Sequence, residues 1–349
     1  MLLALETASY VKRAMPWLNR SGCRSTARWV AFIAAGTLGA GAVVPAFSAD
    51  YPTKTVTIIV PFAPGGSADA QARLVAKGLA QRLSKPVIVD NRAGAGGRIG
   101  AGLAARAAPD GHTLFFGSLS TLVIEPVLRT NVGYEPERDF LPISLITEEP
   151  FLLVVSGPAR VKSLPDLIAY ARDPSARLTY ASWGPGTSAH LLGEMFRVAA
   201  GLEIVHVPYK GSALAIADIL GGQVSMMFAP PLAAMTQVRS GKLRALAVTA
   251  PKRLSQLPDV PTFAEAGMPA LNLQLWYGFF VPGGTPPEIV ARLHTEITSV
   301  LNGAEFIQFA EAQGARVVPC APQGVTARIR SDTEAIQKLV KAINFKVDE

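Results

Sequence analysis

Four short segments of this 349-residue chain combine glycine with hydroxyl side chains: Pro64-Gly-Gly-Ser67, Ser118-Leu-Ser120, the stretch 182–188 (Ser-Trp-Gly-Pro-Gly-Thr-Ser), and Tyr209-Lys-Gly-Ser212. Most of them run directly into a helical pattern. The first backbone N–H groups of a helix have no partner within it, and the helix dipole adds partial positive charge there. Such ends hold anions without a charged side chain. Glycine lets a ligand approach the backbone closely. The hydroxyls of Ser67, Ser118, Ser120, Ser182, Thr187 and Ser188 can donate to carboxylate oxygens. The same residues also serve as ordinary N-caps and turn formers, so the argument rests on four such loops facing one cleft rather than on any one of them.

Other chemistries lack their parts. The four histidines, His112, His190, His206 and His294, include no pair at i,i+4 spacing, so no metal site is expected. His190 follows the loop 182–188, but no acid is placed to complete a triad with Ser182 or Ser188. Gly100-Ala-Gly-Leu-Ala-Ala105 fits a loose dinucleotide pattern but lies inside a predicted helix instead of after a strand. Neither a nucleophile elbow nor a P-loop occurs. The sequence therefore implies no cofactor and no catalytic residues. Trp183 and Trp276 suit either the walls of a cleft or a core.

The elements that must position these loops follow one rhythm: a β-rich run, a Gly/Ser loop, a helical pattern. Thr55-Val-Thr-Ile-Ile-Val60 reads as a strand. Residues 67–83 read as a helix, with Ala68, Ala72, Val75, Leu79 and Leu83 on one face. Further strands are expected at 86–90 and 113–117, with a helix over 99–107 between them. The rhythm repeats with strands at 178–181, 203–207, 224–228 and 243–249, and helices from Ser188 and Ser212. Alternation of this kind implies two α/β lobes built on parallel sheets. Phe151-Leu-Leu-Val-Val155 and Trp276-Tyr-Gly-Phe-Phe-Val281 stand outside the rhythm and are read as two crossover strands of a hinge. The predicted lobes are 50–152 plus 277–349, and 153–276.

The chain is 49% hydrophobic and 17% charged, enough apolar content for two packed cores. Its net charge of +7 is concentrated at the start, where Lys12, Arg13, Arg20, Arg24 and Arg28 face only Glu6 across the first 49 residues. The remaining charges are dispersed without a basic stripe, so nucleic acid is not an expected partner. The basic stretch precedes an uncharged run from Trp29 to Val44 and the small-residue segment Pro45-Ala-Phe-Ser-Ala49. This is the three-part pattern of a Sec-type secretory signal. It leaves cleavage after Ser48 or Ala49, and a start at Met1 or Met15, open. The run is shorter than the roughly 20 residues a membrane-spanning helix needs. Residues 1–49 are thus expected to be a signal peptide and the remainder a periplasmic protein. Cys23 lies in the leader and Cys320 stands alone, so the mature chain has no internal disulfide.

Several motifs in consistent order make a family resemblance specific. They are Pro61-Phe-Ala-Pro-Gly-Gly-Ser-Ala-Asp69, Val87-Ile-Val-Asp-Asn-Arg-Ala-Gly-Ala-Gly-Gly97, Ala107-Ala-Pro-Asp-Gly-His-Thr-Leu114, Tyr180-Ala-Ser-Trp-Gly-Pro-Gly-Thr-Ser-Ala-His190, Val207-Pro-Tyr-Lys-Gly-Ser212 and Trp276-Tyr-Gly-Phe-Phe-Val-Pro-Gly-Gly-Thr-Pro286. From Tyr51 onward the chain resembles the tripartite tricarboxylate transporter substrate-binding family, the Bug receptors. The resemblance implies a periplasmic-binding-protein-like fold of type II, a Venus flytrap of two α/β lobes joined by two crossover strands. It implies a monomeric receptor, not an enzyme, that delivers a small carboxylate or similar solute to membrane transporter subunits. A subunit that presents its closed form to a membrane sensor would look the same.

The implied ligand site includes Phe62, Gly65, Gly66, Ser67, Ala68 and Asp69 in the first loop, and Ser182, Gly186, Thr187 and Ser188 in another. Lys210 and Ser212 match a further loop of the family, and Ser118 and Ser120 join through their strand-end position. Ser225 and Ala229 stand where the family often has Asp. Ala229 thus borders the cleft without a carboxylate, which disfavours an ammonium-bearing ligand.

Overall fold

The computed structural model describes residues 51–157, 161–173 and 175–347. The leader, with Cys23 and both starting methionines, lies outside the described residues.

The first lobe opens with β1 (Val56–Val60), α1 (Ser67–Leu83), β2 (Val87–Asn91), α2 (Arg98–Ala105) and β3 (Thr113–Ser118). A π-helical turn (Ser120–Ile124) leads into α3 (Glu125–Leu128), α4 (Pro136–Asp139) and the long strand β4 (Phe140–Glu149). The chain then crosses to the second lobe: β5 (Leu152–Ser156), α5 (Leu164–Ala171), β6 (Thr179–Ser182), α6 (Ser188–Ala200), β7 (Val205–Pro208), α7 (Ser212–Leu220), β8 (Met226–Ala229), α8 (Pro231–Arg239) and β9 (Leu243–Val248). It returns through β10 (Leu275–Pro282), α9 (Pro287–Leu301), α10 (Ala304–Ala312), β11 (Arg316–Val317) and α11 (Pro322–Ala342).

The expected rhythm gave α1 and α6 with the bounds read from the sequence. The apolar face of α1 is buried as its spacing requires: Ala72, Val75 and Leu79 are fully covered. Burying Val75 and Leu79 contributes about 1.5–3 kcal/mol each, and the methyl of Ala72 about 0.8 kcal/mol. The strands form two sheets, in the order β11-β4-β10-β3-β1-β2 and β7-β6-β8-β5-β9.

Two sequence expectations change. The sheets are mixed, not parallel throughout: β10 runs antiparallel between β3 and β4, and β5 runs antiparallel between β8 and β9. Each of these strands arrives from the other lobe without a covering helix, so it enters its sheet against the direction of the helix-linked strands. The second change is β4, which the rhythm does not reveal. Pro142 interrupts its pattern, and Ser144, Thr147, Glu148 and Glu149 make it look polar although all four are buried. The chain passes between sheets at Pro150 and Phe151, before β5, and again ahead of β10, and each of the two expected crossover strands is an internal strand of the sheet it enters.

In the second lobe α6 packs closely on β6. A Cβ on Gly193 would lie 2.0 Å from the ring of Tyr180, whose hydroxyl donates to Glu194 at 2.6 Å. Tyr180 is fully buried and held at both its ring and its hydroxyl, so it cannot yield cheaply. Gly193→Ala should therefore destabilise the chain by about 1–3 kcal/mol through overpacking, read as a lower urea midpoint with an unchanged slope.

Candidate functional site

Helix starts from the two lobes meet at one small chamber. Its wall is formed by Phe62, Ala63, Gly66, Ser67 and Ala68 at the start of α1, by Tyr277 of β10, and by Trp183, Ser212 and Pro230 of the second lobe. The N-cap of α1 is Gly66, that of α7 is Gly211 and that of α8 is Pro230, and none carries a side-chain cap. No capping side chain therefore competes with a ligand at these ends. The loop before α1 turns at Gly65, whose φ of +84° is costly for other residues.

The chamber is tight. A Cβ on Gly66 would lie 2.7 Å from the hydroxyl of Ser212, and the free volume is about 10 Å³, room for roughly one water. Phe62 and Trp183 meet edge to face across it, with centroids 6.5 Å apart. Two larger clefts, of about 720 and 760 Å³, lie around Asn131 and around Arg253. Neither contains a residue of the sequence-derived site.

Of the residues expected at the ligand, Phe62, Gly66, Ser67 and Ala68 stand in the wall. Asp69 turns away: it accepts from the N–H of Gly65 at 2.9 Å and from Arg73 at 3.0 Å. Burial opposes its charge, but these donors hold its carboxyl below the usual range. Ser118 is bonded to Thr121 within its own turn. Ser120 reaches across to α6, its hydroxyl accepting from the N–H of Ser188 at 3.1 Å and lying 3.2 Å from the Ser188 hydroxyl. The start of α6 is thereby satisfied by the other lobe.

Thr187 donates to the carbonyl of Gly184 at 2.6 Å, and Gly186 donates its N–H to His190. Lys210 is exposed, and its carbonyl accepts from the N–H of Ala63 at 3.0 Å, a second bond between the lobes. Ala229 is buried in β8, and its neighbour Pro230 takes the wall position. Ser225 pairs with Thr179. Trp183 is a wall of the chamber, whereas Trp276 is core and donates to Asp332 at 2.7 Å.

Sequence reasoning missed Ala63, Pro230 and Tyr277, along with two buried carboxyls behind the wall. Glu149, the last residue of β4, is fully buried and accepts from Ser67 at 2.7 Å. Burial pushes its carboxyl up to about 7. Glu125 is also fully buried, and burial raises it to about 7 despite Arg129 at 3.0 Å and Arg98 at 3.6 Å. It seals the seam between lobes, because a Cβ on Gly186 would fall 2.5 Å from its Oε1. The signal that could have marked Glu149 is its place two residues before the apolar run 151–155, at the first crossover.

His190 and His206 stack face to face with centroids 3.7 Å apart, and Ser182 lies 2.7 Å from Nε2 of His206. Burial depresses His190 to about 3 and His206 to about 4. Both rings are therefore neutral near pH 7, and no carboxylate is bonded to either among the described residues, so the arrangement is a packed pair and not a relay.

These features, two α/β lobes with helix starts lining a shared chamber, define a periplasmic-binding-protein-like fold. The sequence pattern of the tripartite tricarboxylate transporter family receptor matches residues 71–345, and the chain belongs to that family. It is 36% identical to protein BugT of Bordetella pertussis over 309 residues, covering 88% of this chain and 95% of BugT. Among solved structures it is similar to an R. palustris protein with adipate, with a TM-score of 0.81 and 34% identity over 84% of this chain and 99% of that one. It is also similar to MatC from Rhodopseudomonas palustris with bound malate, with a TM-score of 0.79 and 33% identity over 83% of this chain and all of that one.

The stacked histidines set a pH dependence. Their folded pKa values lie below the unfolded value of about 6.5, so the unfolded chain takes up protons first as pH falls. The stability they allow is complete above about pH 6.5 and is lost as pH falls toward 4 and then 3. His206→Gln should flatten this acid slope relative to the native chain in thermal melts between pH 6.5 and 4. An unaltered slope would show that His206 is not buried in the neutral form.

Proposed function

We propose that the chain is a periplasmic receptor that captures a small carboxylate between its lobes and delivers it to the membrane subunits of a tripartite tricarboxylate-type transporter. The observation that carries this reading is the convergence of the uncapped starts of α1 and α7, one from each lobe, on one chamber. Oriented amides and hydroxyls suit a carboxylate and need no lysine or arginine in the wall. The adipate and malate held by the two similar structures point to the same ligand class. The leader supports export.

Capture requires motion. The free volume of about 10 Å³ is far below what a dicarboxylate occupies, so the lobes must part for entry and close on the guest. The chain passes between the lobes at Pro150 and Phe151 and in the segment before β10, so the hinge turns about these two places. The Ala63–Lys210 and Ser120–Ser188 bonds are those that opening would break.

The test is a thermal-shift and calorimetric screen of mono-, di- and tricarboxylates that includes adipate and malate. A true ligand at a hundredfold excess over Kd should stabilise the chain by about 2.7 kcal/mol and be recovered unchanged. Ser67→Ala and Ser212→Ala should each weaken binding about ten- to hundredfold, the usual range for a hydrogen bond to a charged group. A screen without a stabilising carboxylate, or consumption of the bound compound, would sink the receptor reading.

A further inference from the structure

Behind the chamber wall, a chain of hydrogen bonds links the first lobe to the crossover. Thr147 donates to Oε1 of Gln71 at 2.6 Å, Nε2 of Gln71 donates to the hydroxyl of Ser67 at 3.1 Å, and Ser67 donates to Oε1 of Glu149 at 2.7 Å. All four side chains are buried. A serine hydroxyl has one hydrogen and two acceptor positions. Here its hydrogen is committed to Glu149 and one acceptor position to Gln71. What Ser67 has left is a lone pair, which faces Tyr277 and the chamber and offers a carboxylate no hydrogen.

A proton on Glu149 reverses that polarity. A protonated carboxyl donates to Ser67, which then accepts from both Gln71 and Glu149 and turns its own hydrogen toward the chamber. We infer that Glu149 is a proton-taking specificity residue: a ligand carboxylate is accepted at Ser67 together with one proton on Glu149. This inference rests on the carboxylate-receptor reading and adds its linkage to pH.

The surroundings of Glu149 fit such a role. From β10, Tyr277 faces it and the Ser67 hydroxyl, and burial holds Tyr277 in its neutral form. From α8, the nearby N–H of Leu232 favours the charged carboxylate, as does Ser67 from α1, but Oε2 of Glu149 has no hydrogen-bond partner among the described residues. Among the described residues no cation faces it. Arg316 and Arg328 pair instead with Glu148, which alternation along β4 places on the opposite face. Burial without a cation outweighs the two donors, so the group changes charge near neutral pH. A second negative charge arriving in the chamber favours its protonation further.

Calorimetry of the mature chain with adipate and with malate, at pH 8 in HEPES and in Tris, reads the linkage directly. The two buffers differ in ionisation enthalpy, so the heat difference counts protons. The expected result is uptake of about one proton per ligand, with affinity falling roughly tenfold per pH unit above neutrality. Glu149→Gln, whose amide donates to Ser67 at every pH, should take up no proton and at pH 8.5 should bind at least tenfold more tightly than the native chain. Binding by the native chain with equal heats in both buffers and a flat affinity from pH 6.5 to 8.5 would overturn the proton linkage and leave the receptor reading intact. If neither chain binds adipate, malate or any other carboxylate of the screen at pH 6.5, both readings fall together.

Discussion

Because β4 passes into β5 through only Pro150 and Phe151, and β10 returns against the same strand, the two sheets are tied at one edge of the cleft. This restraint decides what can face what. It aims the start of α1 in one lobe at the starts of α7 and α8 in the other, close enough that Gly66 has no room for a methyl group beside Ser212. It also puts the end of β4 behind the meeting point, so that Glu149 touches the first lobe through Ser67 and the second through the start of α8. The crossover is at once a covalent link and the carrier of the carboxyl behind the chamber wall.

The seam is held by contacts that are weak one by one. The Ala63–Lys210 backbone bond and the Ser120–Ser188 pair contribute about 1 kcal/mol each after exchange with water. Glu125, closed over by Gly186, adds a buried carboxyl whose partners Arg98 and Arg129 belong to its own lobe. Such a seam contrasts with the lobe interiors, where Phe115, Phe140 and Phe280 pack ring on ring in the first and Phe196, Phe228 and Phe263 in the second. Rigid bodies joined by a sparse polar interface and two chain passages are the physical requirement for hinge closure.

The sequence made the helix-linked parts legible because they alternate cleanly. The apolar spacing of α1 and α6, and the glycines before each helix, are local signals, and Phe62, Gly66, Ser67 and Ala68, singled out by them, stand in the chamber wall. What escaped was long-range. The polar side chains of β4 disguise a strand because their partners come from α1 and α11, far away in sequence. Asp69 and Ser118 look available in the sequence, yet each is taken up by its own turn. Tyr277 and Pro230 carry no local motif at all, since their position depends on how β10 and α8 approach the cleft.

The absence of a carboxylate at Ala229, read from the sequence as disfavouring an ammonium ligand, takes a different meaning beside Glu149. The cleft has a carboxyl after all, held one residue behind the wall and reaching the guest only through the Ser67 hydroxyl. Carried on Ala229 or Ser225, an acid would present a fixed negative charge to the second lobe. Placed at the crossover, in full burial, it presents either hydroxyl polarity, according to whether it carries a proton. Ionised, the chamber suits a donor; protonated, it suits a carboxylate. On the proposed reading, a site built from helix starts needs no fixed charge to discriminate, because the proton shared between Ser67 and Glu149 behind the wall sets which guest the chamber accepts.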